Sequence, residues 1–153
     1  MTSMGSLIAG LVESMNKQER IAWLGAAVFS TMSAYLAWHL FAGNGEALEQ
    51  VRGRVGHGFL LFVAGYWWIS RRMRGPLVDE RDRQIAHHAL QAGYAGLALS
   101  LFVTATLVGL DDYHAFARRR SPAWQEIFLV LCIASSLALA CWVRLFHYWC
   151  DRR

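Results

Sequence analysis

Ile21–Gly43 and Ala89–Leu110 each run for more than twenty residues without a formal charge. Crossing ~30 Å of hydrocarbon takes roughly 20 helical residues, so either run is long enough to span a bilayer. Inside lipid each backbone N–H and C=O has to be bonded within its own segment, which makes the α-helix the natural fold of such a run. A third apolar run extends from about Trp124 to Val143 and continues into the aromatic-rich Leu145–Cys150. Apart from Glu126, at the margin of the last run, these stretches hold no Asp, Glu, Lys or Arg. That argues against a proton or ion pump, which needs ionisable groups at depth.

Val55–Ser70 is the weakest candidate, with sixteen uncharged residues between Arg54 and Arg71. At 1.5 Å per residue it covers roughly 24 Å, slightly less than the hydrocarbon core. Snorkelling arginines at both ends, with Tyr66, Trp67 and Trp68 at headgroup level, make it a span all the same. Were it re-entrant, the topology of everything after it would invert. Upstream, Met4, Leu7, Ile8, Leu11, Val12 and Met15 fall on one helical stripe, opposite Ser3, Ser6, Gly10, Glu13 and Ser14. This predicts an amphipathic helix over 3–15, lying in the membrane interface or binding a partner. Asn16 followed by Glu19 has the spacing of a cap and its third-residue acid, which starts a new helix.

The expected architecture is therefore all-α and membrane-embedded. A single domain, 1–153, forms an antiparallel four-helix transmembrane bundle with spans of about 21–43, 55–70, 89–110 and 124–143 and an N-terminal interfacial helix. Small residues (Gly25, Ser33 and Ala37 in the first span; Ala92, Gly96 and Ser100, joined by Gly93, in the third) favour close helix packing in lipid. Pro122 suits the first turn of the last helix.

The net charge of +4 comes from Lys and Arg in the short connections, where they act as topology signals. With the N-terminus in the cytoplasm, the inside receives Lys17, Arg20, Arg71, Arg72, Arg74, Arg81, Arg83, Arg144, Arg152 and Arg153. The outside receives only Arg52, Arg54 and Arg118 to Arg120. N-in, C-in follows, with the arginine triplet as the opposing feature. No basic face interleaved with aromatics is present, so nucleic acid is not an expected partner. Cys132, Cys141 and Cys150 have no metal spacing and lie in one helix, where they read as small apolar filler.

The stretch Arg71–Gln91 divides in two. Arg71, Arg72 and Arg74 anchor topology, and Gly75-Pro76 breaks the helix. Asp79 is the expected cap of the next helix, paired with Arg83, with Glu80 and Asp82 in its first turn. Glu80, Gln84, His87, His88 and Gln91 then make a polar stripe from the loop into the membrane end of the third span. The face with Ala92, Gly93 and Gly96 is expected to continue that stripe. Glu80, Arg81, Arg83, Gln84, His87 and His88 are the candidate partner-binding residues, the partner being a membrane or cytoplasmic protein or a second copy.

The run Val78-Asp79-Glu80-Arg81-Asp82-Arg83-Gln84-Ile85, followed by Ala86 and Ala89, resembles a family of small prokaryotic membrane proteins of unknown function. These carry a D-E-R motif after a basic connection between helices. The resemblance covers roughly 59–109 and implies a multi-pass protein of the bacterial inner membrane, with no activity attached. His87-His88, the amphipathic N-terminus and the long third loop depart from that pattern.

Histidine offers the rival chemistry. On the outer side His39, His57 and His114, the last near Asp111-Asp112, are the candidate metal ligands, and His39 with His57 is a candidate haem pair. On the inner side His87, His88, His147 and Cys150 converge with Glu80 if the third and fourth helices are neighbours. No nucleophile motif or Gly-rich phosphate loop occurs, so a non-enzymatic protein without a required cofactor is expected, with a metal- or haem-binding protein as the alternative.

Overall fold

The computed structural model describes residues 15–41, 48–72, 80–108 and 122–152. They form four helices: α1 (Lys17–Phe41), α2 (Leu48–Arg72), α3 (Glu80–Val108) and α4 (Pro122–Cys150). Residues 3–14 of the expected interfacial helix lie outside the described residues. So do Gly75-Pro76, Asp79, Asp111-Asp112, His114 and the arginine triplet.

Helix starts follow local chemistry. Asn16 Oδ1 accepts the Glu19 N–H at 2.8 Å, capping α1 as its spacing implies. α4 opens on Pro122, whose missing N–H costs nothing in a first turn. α1, α3 and α4 are long and apolar enough to cross a membrane. α2 has 25 residues, but its arginines confine the uncharged part to the sixteen between Arg54 and Arg71.

α1 and α4 form the most extensive pairing; α3 packs on α4, and α2 on α1 with a lighter touch on α4. The α1–α4 seam is close because its residues are small. Ala22 and Ala26 are buried, and a Cβ at Gly25 would lie 2.6 Å from Cys141 Sγ. Phe29, Met32, Leu36 and Leu40 of α1 join Val51 of α2 and Trp124, Ile127, Ala134 and Ala138 of α4 in one core cluster. α2 follows α1 over most of its length. Lys17 Nζ donates to Ser70 O at 2.8 Å, the Phe29 ring meets Phe62 at a tilt and Phe59 edge-on, with centroids 4.9 and 5.7 Å apart, and Arg54 Nη1 donates to Tyr35 OH at 2.9 Å.

Along α3, Ile85, Ala89 and Gly93 are buried, and a Cβ at Gly93 would lie 3.0 Å from Ala140 Cβ. A Cβ at Gly96 would lie 2.8 Å from Leu139. This corrects one expectation: the glycines do not continue the polar stripe. At 100° per residue they extend the Asp82–Ile85–Ala89 face, opposite Glu80, Gln84 and Gln91, and it is this face that meets α4. The cysteine reading also needs revision, because Cys150 is exposed while Cys132 is buried.

The outward surfaces are strongly apolar. Leu60, Leu61, Trp67 and Trp68 of α2 and Tyr94, Leu99 and Phe102 of α3 are all exposed. Single exposed apolar residues are ordinary, but whole helix faces of them are what lipid covers.

Candidate functional site

The starts of α1 and α3 and the ends of α2 and α4 meet at one end of the assembly, and the buried polar side chains concentrate there. Asn16, Lys17, Gln18 and Glu19 begin α1; Arg81 and Asp82 begin α3; Arg144, Tyr148, Asp151 and Arg152 close α4. Lys17, Gln18, Glu19 and Asp82 are each no more than 8% exposed. Polar groups so placed are tolerated only when bonded.

Each is bonded to another helix. Asp82 Oδ1 accepts from Tyr148 OH at 2.6 Å and from Asn16 Nδ2 at 3.2 Å. Asn16 thereby serves two elements, capping α1 with its oxygen and holding α3 with its nitrogen. Gln18 Oε1 accepts from Arg144 Nη2 at 2.8 Å, and Glu19 Oε2 from Arg152 Nη2 at 2.5 Å. Lys17 occupies the Ser70 carbonyl near the C-terminus of α2, where the macrodipole favours a cation. Arg81 pairs with Asp151 at 2.9 Å with both side chains about half exposed. The result is a polar collar joining all four helices.

The candidate partner-binding residues separate against this collar. Glu80, Arg83, Gln84, His87 and His88 are exposed. Glu80 and Arg83 make a loose pair at 3.7 Å with side chains 73% and 70% exposed. His87 Nε2 lies 3.0 Å from Gln91 Nε2 on the same face. Arg81 is engaged within the chain, and His88 leans onto α4, its ring stacked on His147 at 5.4 Å and 24°. His87, His88 and His147 therefore approach one another in part: His87 lies 6.3 Å from His88, ring to ring.

Among the described residues no group of three His, Cys, Asp or Glu side chains is placed to hold a metal ion. His39 packs on Tyr35 at 4.5 Å, and His57 Nδ1 donates to the Gly53 carbonyl at 2.7 Å, each on its own helix.

Neither Asp82 nor Tyr148 is among the expected site residues. By position Asp82 is a first-turn acid, yet its spacing to Ile85 and Ala89 puts it on the buried face, and that periodicity is the signal in the sequence. Tyr148 reads as one more interfacial aromatic until α3 is placed beside α4.

Comparison with known proteins yields no match to a family model, to a curated protein or to a solved structure.

Proposed function

We propose that this chain is a non-enzymatic, four-span protein of the bacterial inner membrane, with antiparallel helices and both termini in the cytoplasm, that docks a protein partner on the outer face of α3. One observation carries the reading. The charged start of α3 splits into residues consumed by the fold, Arg81 and Asp82, and residues left facing outward, Glu80, Arg83, Gln84 and His87. Exposed polar side chains gathered on one helix face can select a partner, membrane-bound or cytoplasmic, or a second copy.

The membrane part of the proposal is supported by three helices of spanning length and by the course of α2. Because α2 is tied to α1 from Lys17–Ser70 to Tyr35–Arg54, it traverses the depth α1 traverses, short as its uncharged part is. Four crossings return the C-terminus to the side of the N-terminus, in keeping with the excess of Lys and Arg there. The resemblance of Val78–Ile85 to small prokaryotic membrane proteins supports the compartment.

A photo-crosslinker at Gln84 in native membranes is expected to capture one protein of defined mass, which Arg83→Glu abolishes. Capture of lipid alone would overturn the docking role. A reporter fused after Arg152 that is active only outside the cytoplasm would overturn the topology.

A further inference from the structure

Away from the collar, a groove of about 460 Å³ lies between α1 and α2. It falls within the ~300–1,000 Å³ typical of ligand sites. Ala27, Val28, Thr31 and Leu61 make its apolar length, and Ala27, Thr31 and Leu61 are exposed, so it opens to the surroundings. Arg54, Tyr35 and His57 make its polar end.

Arg54 is held rather than loose. Its Nη1 donates to Tyr35 OH at 2.9 Å, and its guanidinium carbon lies 6.0 Å from the Tyr35 ring centre. No carboxylate among the described residues pairs with it. A positioned guanidinium, with five N–H donors in a planar fork, matches the oxygens of a phosphate, and here it stands at the end of an apolar trough. Arg71 and Arg72, at the other end of α2, differ: they lie over Trp67 and Trp68, 4.1 and 4.2 Å from the ring centres, and line no part of this groove.

We propose that the α1–α2 groove holds one acyl chain of an anionic phospholipid from the leaflet opposite the collar, its headgroup phosphate bound by Arg54. The occupant follows from the match of a positioned cation, with no carboxylate partner among the described residues, to an anionic headgroup and of the apolar trough to a chain. The proposal rests on the reading of α1 and α2 as membrane-spanning.

The test uses the full chain purified in mild detergent and exchanged into nanodiscs of phosphatidylcholine containing phosphatidylglycerol, with retained lipid counted by native mass spectrometry. Wild type is expected to keep one phosphatidylglycerol per chain in preference to phosphatidylcholine. Arg54→Gln is expected to lower that retention about tenfold, the size of one charge-assisted bond. Ala27→Phe, which fills the trough and leaves Arg54 in place, is expected to remove bound lipid of either class. Arg72→Gln is expected to change nothing. Equal retention of the two lipids by wild type, or equal losses in Arg54→Gln and Arg72→Gln, would overturn the site. A second copy of the chain released by Ala27→Phe in place of lipid would do the same. Alkaline extraction of membranes checks the underlying reading separately: a chain that washes off is not membrane-spanning, whereas one that stays embedded yet shows no lipid preference defeats only the site.

Discussion

At the end where α1 begins, Lys17, Gln18, Glu19 and Asp82 are buried and each bonded to another helix. At the Leu40 end, cross-helix polar bonds include that of Trp124 Nε1 to Leu40 O at 3.4 Å and that of the exposed Arg54 to the half-buried Tyr35 at 2.9 Å. Between the ends the helices meet mainly through alanine, glycine, leucine and phenylalanine, with Trp142 Nε1 donating to Ser30 Oγ at 3.0 Å. Apolar contacts hold helices together without strongly selecting their register, because many slid arrangements bury similar surface. Directional bonds with buried partners penalise every arrangement but one. The collar thus serves as the register-setting end, and the Leu40 end is the one whose geometry can relax at low cost.

The largest test of that contrast is Asp82→Ala, which strands the Tyr148 hydroxyl and frees Asn16. It is expected to cost about 2–3 kcal/mol, read as a lowered melting point in detergent. Gly25→Val attacks the apolar seam instead, driving a side chain into Cys141 and Phe62. About 2 kcal/mol is expected, with the loss following helix separation rather than any polar contact. Arg152→Ala leaves Glu19 unpaired, but Arg152 is 37% exposed and water replaces part of its role, so about 1 kcal/mol is expected. Trp124→Phe removes the long bond at the opposite end together with part of a buried ring stacked on Phe128, and is expected to cost about 1 kcal/mol. Equal effects of Asp82→Ala and Trp124→Phe would abolish the distinction between the ends. Arg83→Glu, on the exposed face, is expected to leave the melting point within ~0.5 kcal/mol of wild type while eliminating partner capture.

Legibility in the sequence followed the range of the interactions. The cap at Asn16, the Pro122 start and the uncharged stretches of α1, α3 and α4 involve residues within a few turns of one another and were readable. The exposed stripe Glu80, Gln84, His87 was readable too, because 3.6-residue periodicity groups it. The same periodicity misled where the two faces of α3 were not told apart: Gly93 and Gly96 belong with Asp82, not with Gln84. Arg81 looks available to a partner in the sequence because the residue it pairs with, Asp151, is seventy residues away.

What the sequence determined by itself is the material of the helices: how long each can run without a charge, and hence which are fit for lipid. That is a one-dimensional property set against the thickness of a bilayer. Only the tertiary structure decided that α4 lies between α1 and α3. From that placement come the meeting of Asp82 with Tyr148 across 66 positions and of Gln18 with Arg144 across 126. Composition measures how readily a segment leaves water. It does not record which of several equally apolar neighbours the segment will meet, and the buried acid of α3 becomes intelligible only once that neighbour is known.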